Sequence, residues 1–126
     1  MTKSIHPENN KKVTFEVVIN TCHGGFGMDQ ALLDNIKERK GHEVDEGIRR
    51  DDPDFIAALR EMQTDKHYRG APYAELYILT VTSVSPLFVI REYDGFESVE
   101  TIEDFEREAE LSQAKEFGKI FPQLYI

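Results

Sequence analysis

A small α/β domain, with one mixed sheet of about four to five strands and about three helices packed on it, is what this sequence predicts. Three observations carry that class. An apolar run over Val13–Asn20 feeds a glycine-rich turn and then a helical pattern. Asp51-Asp52-Pro53-Asp54 opens a second helix. Asp94-Gly95 sits between two strand-like runs, the strongest short hairpin signal in the chain.

In chain order, residues 1–12 form a polar segment expected to fray, and 13–126 form the globular domain. Within Val13–Asn20, the continuous apolar stretch Val17-Val18-Ile19 suits an interior strand covered on both faces. Asp29 is positioned to cap a helix that turns Leu32, Leu33 and Ile36 inward and Lys37, Glu38, Arg39 and Lys40 outward, and Gly41 stops it. The stretch His42–Arg50 is read as a short edge strand. In the second helix Asp52 caps, Pro53 suits the first turn and Asp54 complements the dipole, while Phe55, Leu59 and Met62 follow at helical spacing.

After a polar loop from Thr64 to Pro72, Tyr73–Val84 and Leu87–Tyr93 read as strands separated by Ser85-Pro86. A two-residue loop at Asp94-Gly95 pairs Tyr93 with Phe96 and sets Glu92 opposite Glu97, a like-charge pair that needs water or a nearby cation. Glu103–Phe117 reads as a helix. The apolar tail Ile120–Ile126 is expected to dock onto the body, and it would serve a dimer equally well.

Composition narrows the function. The chain of 126 residues carries a formal charge of −9, and Glu92–Glu110 holds nine acids against one base, Arg107. Direct binding to a nucleic acid backbone is disfavoured by that charge. An acidic stripe is either a solvated helix face or a contact for a basic protein surface. No apolar run approaches 18 residues, so no membrane span is expected. The start of the chain has no apolar signal-peptide middle, and a single cysteine forms no internal disulfide. A reducing cytoplasm is the expected compartment.

The turn Thr21-Cys22-His23-Gly24-Gly25-Phe26-Gly27 concentrates the chemistry-bearing residues. Gly24, Gly25 and Gly27 allow backbone amides to converge on a phosphate or carboxylate. The run is neither a Walker loop, lacking Lys-Ser or Lys-Thr, nor a dinucleotide fingerprint. The alternative reading is a tight reversal with Phe26 plugging the core. Cys22 is a candidate nucleophile, activated by a helix N-terminus and served by glycine amides as an oxyanion hole. Its base would have to be His6, His42 or His67, because His23 is its neighbour in an extended segment. A buried, inert thiol is the competing reading. The four histidines show no metal-ligand spacing, and neither metal nor cofactor is expected.

Ile19-Asn20-Thr21-Cys22-His23-Gly24-Gly25-Phe26-Gly27-Met28-Asp29 resembles the signature of a group of small bacteriophage and viral proteins, Ile-Asn-x-Cys-x-Gly-Gly-Phe-Gly followed by Leu-Ser. Arg50-Asp51-Asp52-Pro53 and Ile90-Arg91-Glu92-Tyr93-Asp94-Gly95 resemble later segments of that group in the same order. Met28-Asp29 departs from Leu-Ser, but both second residues cap helices. The resemblance implies a viral setting and little chemistry, and a viral origin favours a small accessory protein that binds a host factor or sequesters a signalling molecule.

Three functions follow. The first is a non-enzymatic binding module that meets a small anionic ligand or a host protein. It would use Asn20, Thr21, Cys22, His23, Gly24, Gly25, Phe26, Gly27 and Arg50, with Arg49 and Asp94 as flanking contacts. The second is an acidic inhibitor of a basic, nucleic-acid-binding protein. The third is a Cys22-dependent hydrolase or transferase.

Overall fold

In the computed structural model, which describes residues 11–104 and 123–125, the α/β class holds. The order is β1 (Val13–Asn20), α1 (Gln30–Lys40), α2 (Pro53–Met62), β2 (Leu76–Ser83), β3 (Phe88–Tyr93), β4 (Phe96–Thr101) and β5 (Gln123–Tyr125). The strands do not gather into one sheet. β1 and β2 form a two-stranded sheet, and β4-β3-β5 form a three-stranded one. Ser85-Pro86 ends the β2 pattern, so the β3–β4 hairpin builds its own ladder and recruits β5 instead.

The chain divides into two compact units. One comprises 16–80 and 92–98. Its core is Val18 of β1, Met28 ahead of α1, Leu32 and Ile36 of α1, Phe55, Ile56, Ala58 and Leu59 of α2, and Ala71, Ala74 and Leu76. Local signals set the helix ends. Asp29 accepts the Leu32 amide at 2.9 Å, and Gly41 closes α1 in the left-handed region at φ 82°. Asp52 accepts the Asp54 and Phe55 amides at 2.8 and 3.1 Å, with Pro53 beginning α2.

The two helices are tied at both levels. Arg39 of α1 reaches Glu61 of α2 at 2.6 Å, and Lys40 bridges Asp52 and Asp54 at 2.8 and 3.0 Å. Hydrogen bonds to Asp52 and then Asp54 raise the Lys40 ammonium above its ordinary value. Burial alone would raise the Asp52 carboxyl; the Lys40 hydrogen bond and the Phe55 and Asp54 amides outweigh it and hold the group below 3.8.

The edge strand expected over His42–Arg50 is absent. Asp45 bends the chain instead, accepting the Gly47 amide on its carboxylate at 2.9 Å and the Ile48 amide on its carbonyl at 3.2 Å. An aspartate two residues before a glycine competes with strand pairing in this way. Arg50 meets β1, its carbonyl accepting the Val18 amide at 2.8 Å.

Of the described residues, the other unit comprises 11–15, Val81–Arg91, 99–104 and 123–125. Phe15 and Phe88 pack with ring centroids 5.7 Å apart, and Val81, Val89 and Ile90 of the same unit are buried. Lys12 pairs with Glu103 at 3.1 Å and Arg91 with Glu100 at 3.0 Å. β5 runs antiparallel to β3 with Phe88 opposite Tyr125 and Ile90 opposite Gln123, so part of the apolar tail docks as a strand. Thr101 and Asp104 form a reciprocal cap, and residues 102–104 are helical. The rest of the expected 103–117 helix, like the frayed segment expected before Lys11, lies outside the described residues. No helix among the described residues is long and apolar enough to cross a membrane.

Candidate functional site

The site is built where β1 ends. Asn20 is fully buried, and its side-chain amide and backbone N–H are all bonded. Its side-chain NH2 donates to the carbonyls of Cys22 at 2.6 Å and Gly95 at 2.8 Å, and its Oδ1 accepts the Glu75 amide at 2.7 Å. Its backbone amide donates to Glu97 Oε1 at 2.9 Å. One side chain thus joins the glycine turn, the segment before β2 and the hairpin. Thr21 reinforces the join, its amide and hydroxyl both donating to the Glu75 carbonyl at 2.8 and 3.0 Å.

Arg50 lies beneath this junction. Its guanidinium meets Glu97 in a two-pronged pair, Nη1–Oε1 2.6 Å and Nη2–Oε2 2.9 Å, and also donates to the Val18 carbonyl at 3.2 Å. The Phe26 ring stacks on it, 3.6 Å from ring centroid to Cζ, and Phe26 in turn meets Phe55 edge-on at 6.4 Å. Both charged residues are buried. The cation that the Glu92/Glu97 juxtaposition calls for is therefore Arg50, supplied to Glu97 alone. Arg49 pairs with Asp51 at 2.8 Å.

The glycines answer to packing. A Cβ on Gly24 would stand 1.8 Å from the Tyr73 carbonyl oxygen, and one on Gly27 would stand 2.3 Å from the Tyr73 hydroxyl oxygen. Gly25 differs: it has φ +99° and open space around its missing Cβ. The neighbouring α1 N-terminus is already supplied with carboxylates. Asp29 caps it, Glu46 accepts the Met28 amide at 2.8 Å, and the Tyr68 hydroxyl donates to Asp29 at 2.7 Å. Burial, and then that hydrogen bond, push the Tyr68 hydroxyl well above its ordinary value.

Cys22 is half-buried, with its thiol 3.3 Å from the Tyr73 carbonyl and 3.7 Å from Asn20 Oδ1. Neither contact is a base, and no hydrogen bond among the described residues joins it to a histidine. His42 turns Nδ1 to the Glu43 carbonyl, and His6 lies outside the described residues. No group of three or more His, Cys, Asp or Glu among the described residues is arranged to hold a metal.

His23 faces outward. Nδ1 donates to the Asp94 carbonyl at 2.9 Å and lies 3.8 Å from the Asp94 carboxylate. Its ring meets Tyr93 edge-on at 6.5 Å and Phe96 at 5.7 Å. The type I′ turn between those two aromatics has φ 51° at Asp94 and 90° at Gly95, as the Asp-Gly pair predicts. Gly95 is required twice, since a Cβ there would also stand 2.3 Å from the His23 carbonyl oxygen. Glu92 accepts the Gly95 amide at 2.5 Å. Tyr93 is 79 % exposed and Phe96 41 %.

The structure thus brings Asn20–Gly27, Arg50 and Asp94 together. To them it adds Glu97, Glu75, Tyr73, Tyr93 and Phe96, which sequence reasoning did not place at the site. The Glu92/Glu97 juxtaposition and the Tyr93/Phe96 pairing were the available signals for three of these. Of the acidic stretch, Glu97, Glu100 and Glu103 are paired with Arg50, Arg91 and Lys12, while 105–110 lie outside the described residues. Comparison with protein-family models, with curated proteins and with solved structures finds no match.

Proposed function

We propose that this protein is a non-enzymatic binding module, a small cytoplasmic accessory protein of the phage type. Its protein partner meets the surface formed by the Thr21–Gly27 turn and the β3–β4 hairpin tip. One observation carries the reading: Tyr93 and Phe96 stand exposed against His23 on a tip whose inner side is fixed by Asn20, Arg50 and Glu97. Exposed aromatics on a rigid support are what hot spots of protein interfaces use, since little ordering remains to oppose binding. The same geometry favours a protein over a small anion. Arg50 is neutralised by Glu97, and Asp29 and Glu46 already supply carboxylates at the helix entrance. It also supports a non-catalytic role, because the Cys22 thiol faces carbonyl and amide oxygens.

The test is affinity capture from host extract with three baits. A partner retained by the wild type and by Tyr77→Ala, which alters an exposed tyrosine on β2, but lost with Tyr93→Ala/Phe96→Ala supports the reading. Equal retention by all three baits overturns it.

A further inference from the structure

We infer that the hairpin tip receives an arginine side chain of a basic segment on its partner. This rests on the binding-module reading and names the chemistry of that same surface.

Three features converge. The rings of His23, Tyr93 and Phe96 form one contiguous aromatic surface, with His23 touching both others. The Asp94 carboxylate lies in the turn that links two of those rings, its side chain 78 % exposed. Among the described residues, the only basic group within ion-pair distance of Asp94 is His23, at the long distance of 3.8 Å. Glu92 adds a second exposed carboxylate, so residues 92–98 carry three acids of which Arg50 neutralises one. An aromatic face beside unneutralised carboxylates attracts a cation by ring quadrupole and by charge together.

Arginine fits better than lysine. Its planar guanidinium stacks on rings and presents two parallel N–H groups to a carboxylate, whereas an ammonium is a compact, strongly hydrated point charge. The fold already assembles that combination internally, with Arg50 stacked on Phe26 while bonded by both prongs to Glu97. The hairpin tip offers the ring and the carboxylate on the outside, and the partner would bring the guanidinium. A net charge of −9 steers a basic segment toward the protein in general; the rings make the tip its seat.

The test is an amide chemical-shift titration of the full chain with a hexa-arginine peptide, with hexa-lysine and hexa-glutamate for comparison. Expected are shifts confined to 21–27 and 92–98, with arginine bound more tightly than lysine and no response to glutamate. Tyr93→Ala should weaken hexa-arginine about fivefold, by loss of a cation–π contact. Asp94→Asn, which keeps a residue tolerant of positive φ, should weaken it about threefold. Unchanged amide positions elsewhere verify that both variants fold. Absence of binding overturns the inference, as does binding spread over the acidic stretch and insensitive to Tyr93→Ala. If capture still depends on Tyr93 and Phe96 while hexa-arginine does not bind, the binding-module reading stands and the arginine assignment falls.

Discussion

The two faces of the β3–β4 hairpin tip make opposite use of neighbouring residues. Glu97 is buried, paired with Arg50 and bonded to the Asn20 amide. Tyr93, Asp94 and Phe96, within four positions of it, are exposed. Alternation along a strand sends successive side chains to opposite sides, so one short segment both anchors the fold and displays a surface. Charge on the inner side holds structure together, and charge on the outer side stays exposed.

Substitutions that separate the two faces sharpen this contrast. The largest loss is expected from Glu97→Ala, which strands the buried Arg50 guanidinium and should cost about 3–5 kcal/mol in urea unfolding. The double variant Arg50→Met/Glu97→Leu should recover much of that loss, because no unpaired charge remains. If the single and double variants are equally damaged, the pair is not the anchor described.

Asn20→Ala should follow, at about 2–3 kcal/mol, since it leaves the Cys22 and Gly95 carbonyls and the Glu75 amide without partners. Asp52→Ala removes a helix cap and should cost about 1 kcal/mol at neutral pH. Its pH dependence has a definite sign. The folded state holds the Asp52 carboxyl below 3.8, so its contribution is complete above that pH and disappears as pH falls through the lowered value. Wild type and variant should therefore converge in acid, as thermal melts across pH 2–6 would reveal. The smallest effect on stability belongs to the outer face. Tyr93→Ala should change unfolding by less than about 0.5 kcal/mol while weakening partner capture; a large loss of stability there would erase the contrast between the faces.

What the sequence discloses follows the range of the interactions involved. β1, the ends of α1 and α2 and the type I′ turn were legible because their determinants lie within a few residues: Asp29 and Gly41, Asp52 and Pro53, Asp94 and Gly95. The Arg50–Glu97 pair spans 47 positions and the Asn20–Gly95 bond spans 75, and no local pattern encodes either. The turn glycines illustrate the difference. Their spacing marked the site, but the reason for Gly24 and Gly27 is the approach of Tyr73, some 50 residues away by sequence, as the 51-residue separation of Cys22 and Tyr73 indicates. That same approach delays β2, which begins at Leu76 instead of Tyr73, because 73–75 are held against the turn.

The pairing of β5 with β3 has a consequence for the protein as it is being made. A hairpin closes in about 1–10 μs, so β3 and β4 can pair as soon as both are free of the ribosome. Gln123–Tyr125 arrive later, after a delay of a few seconds at a synthesis rate of about 5–20 residues per second. Throughout that interval the Phe88–Ile90 edge lacks the neighbour it has in the finished sheet. Unpaired edges invite pairing with other chains. Crowded polysomes are thus a setting in which this molecule is exposed to aggregation, and a chaperone that shields β3 until Gln123–Tyr125 emerge would raise its yield.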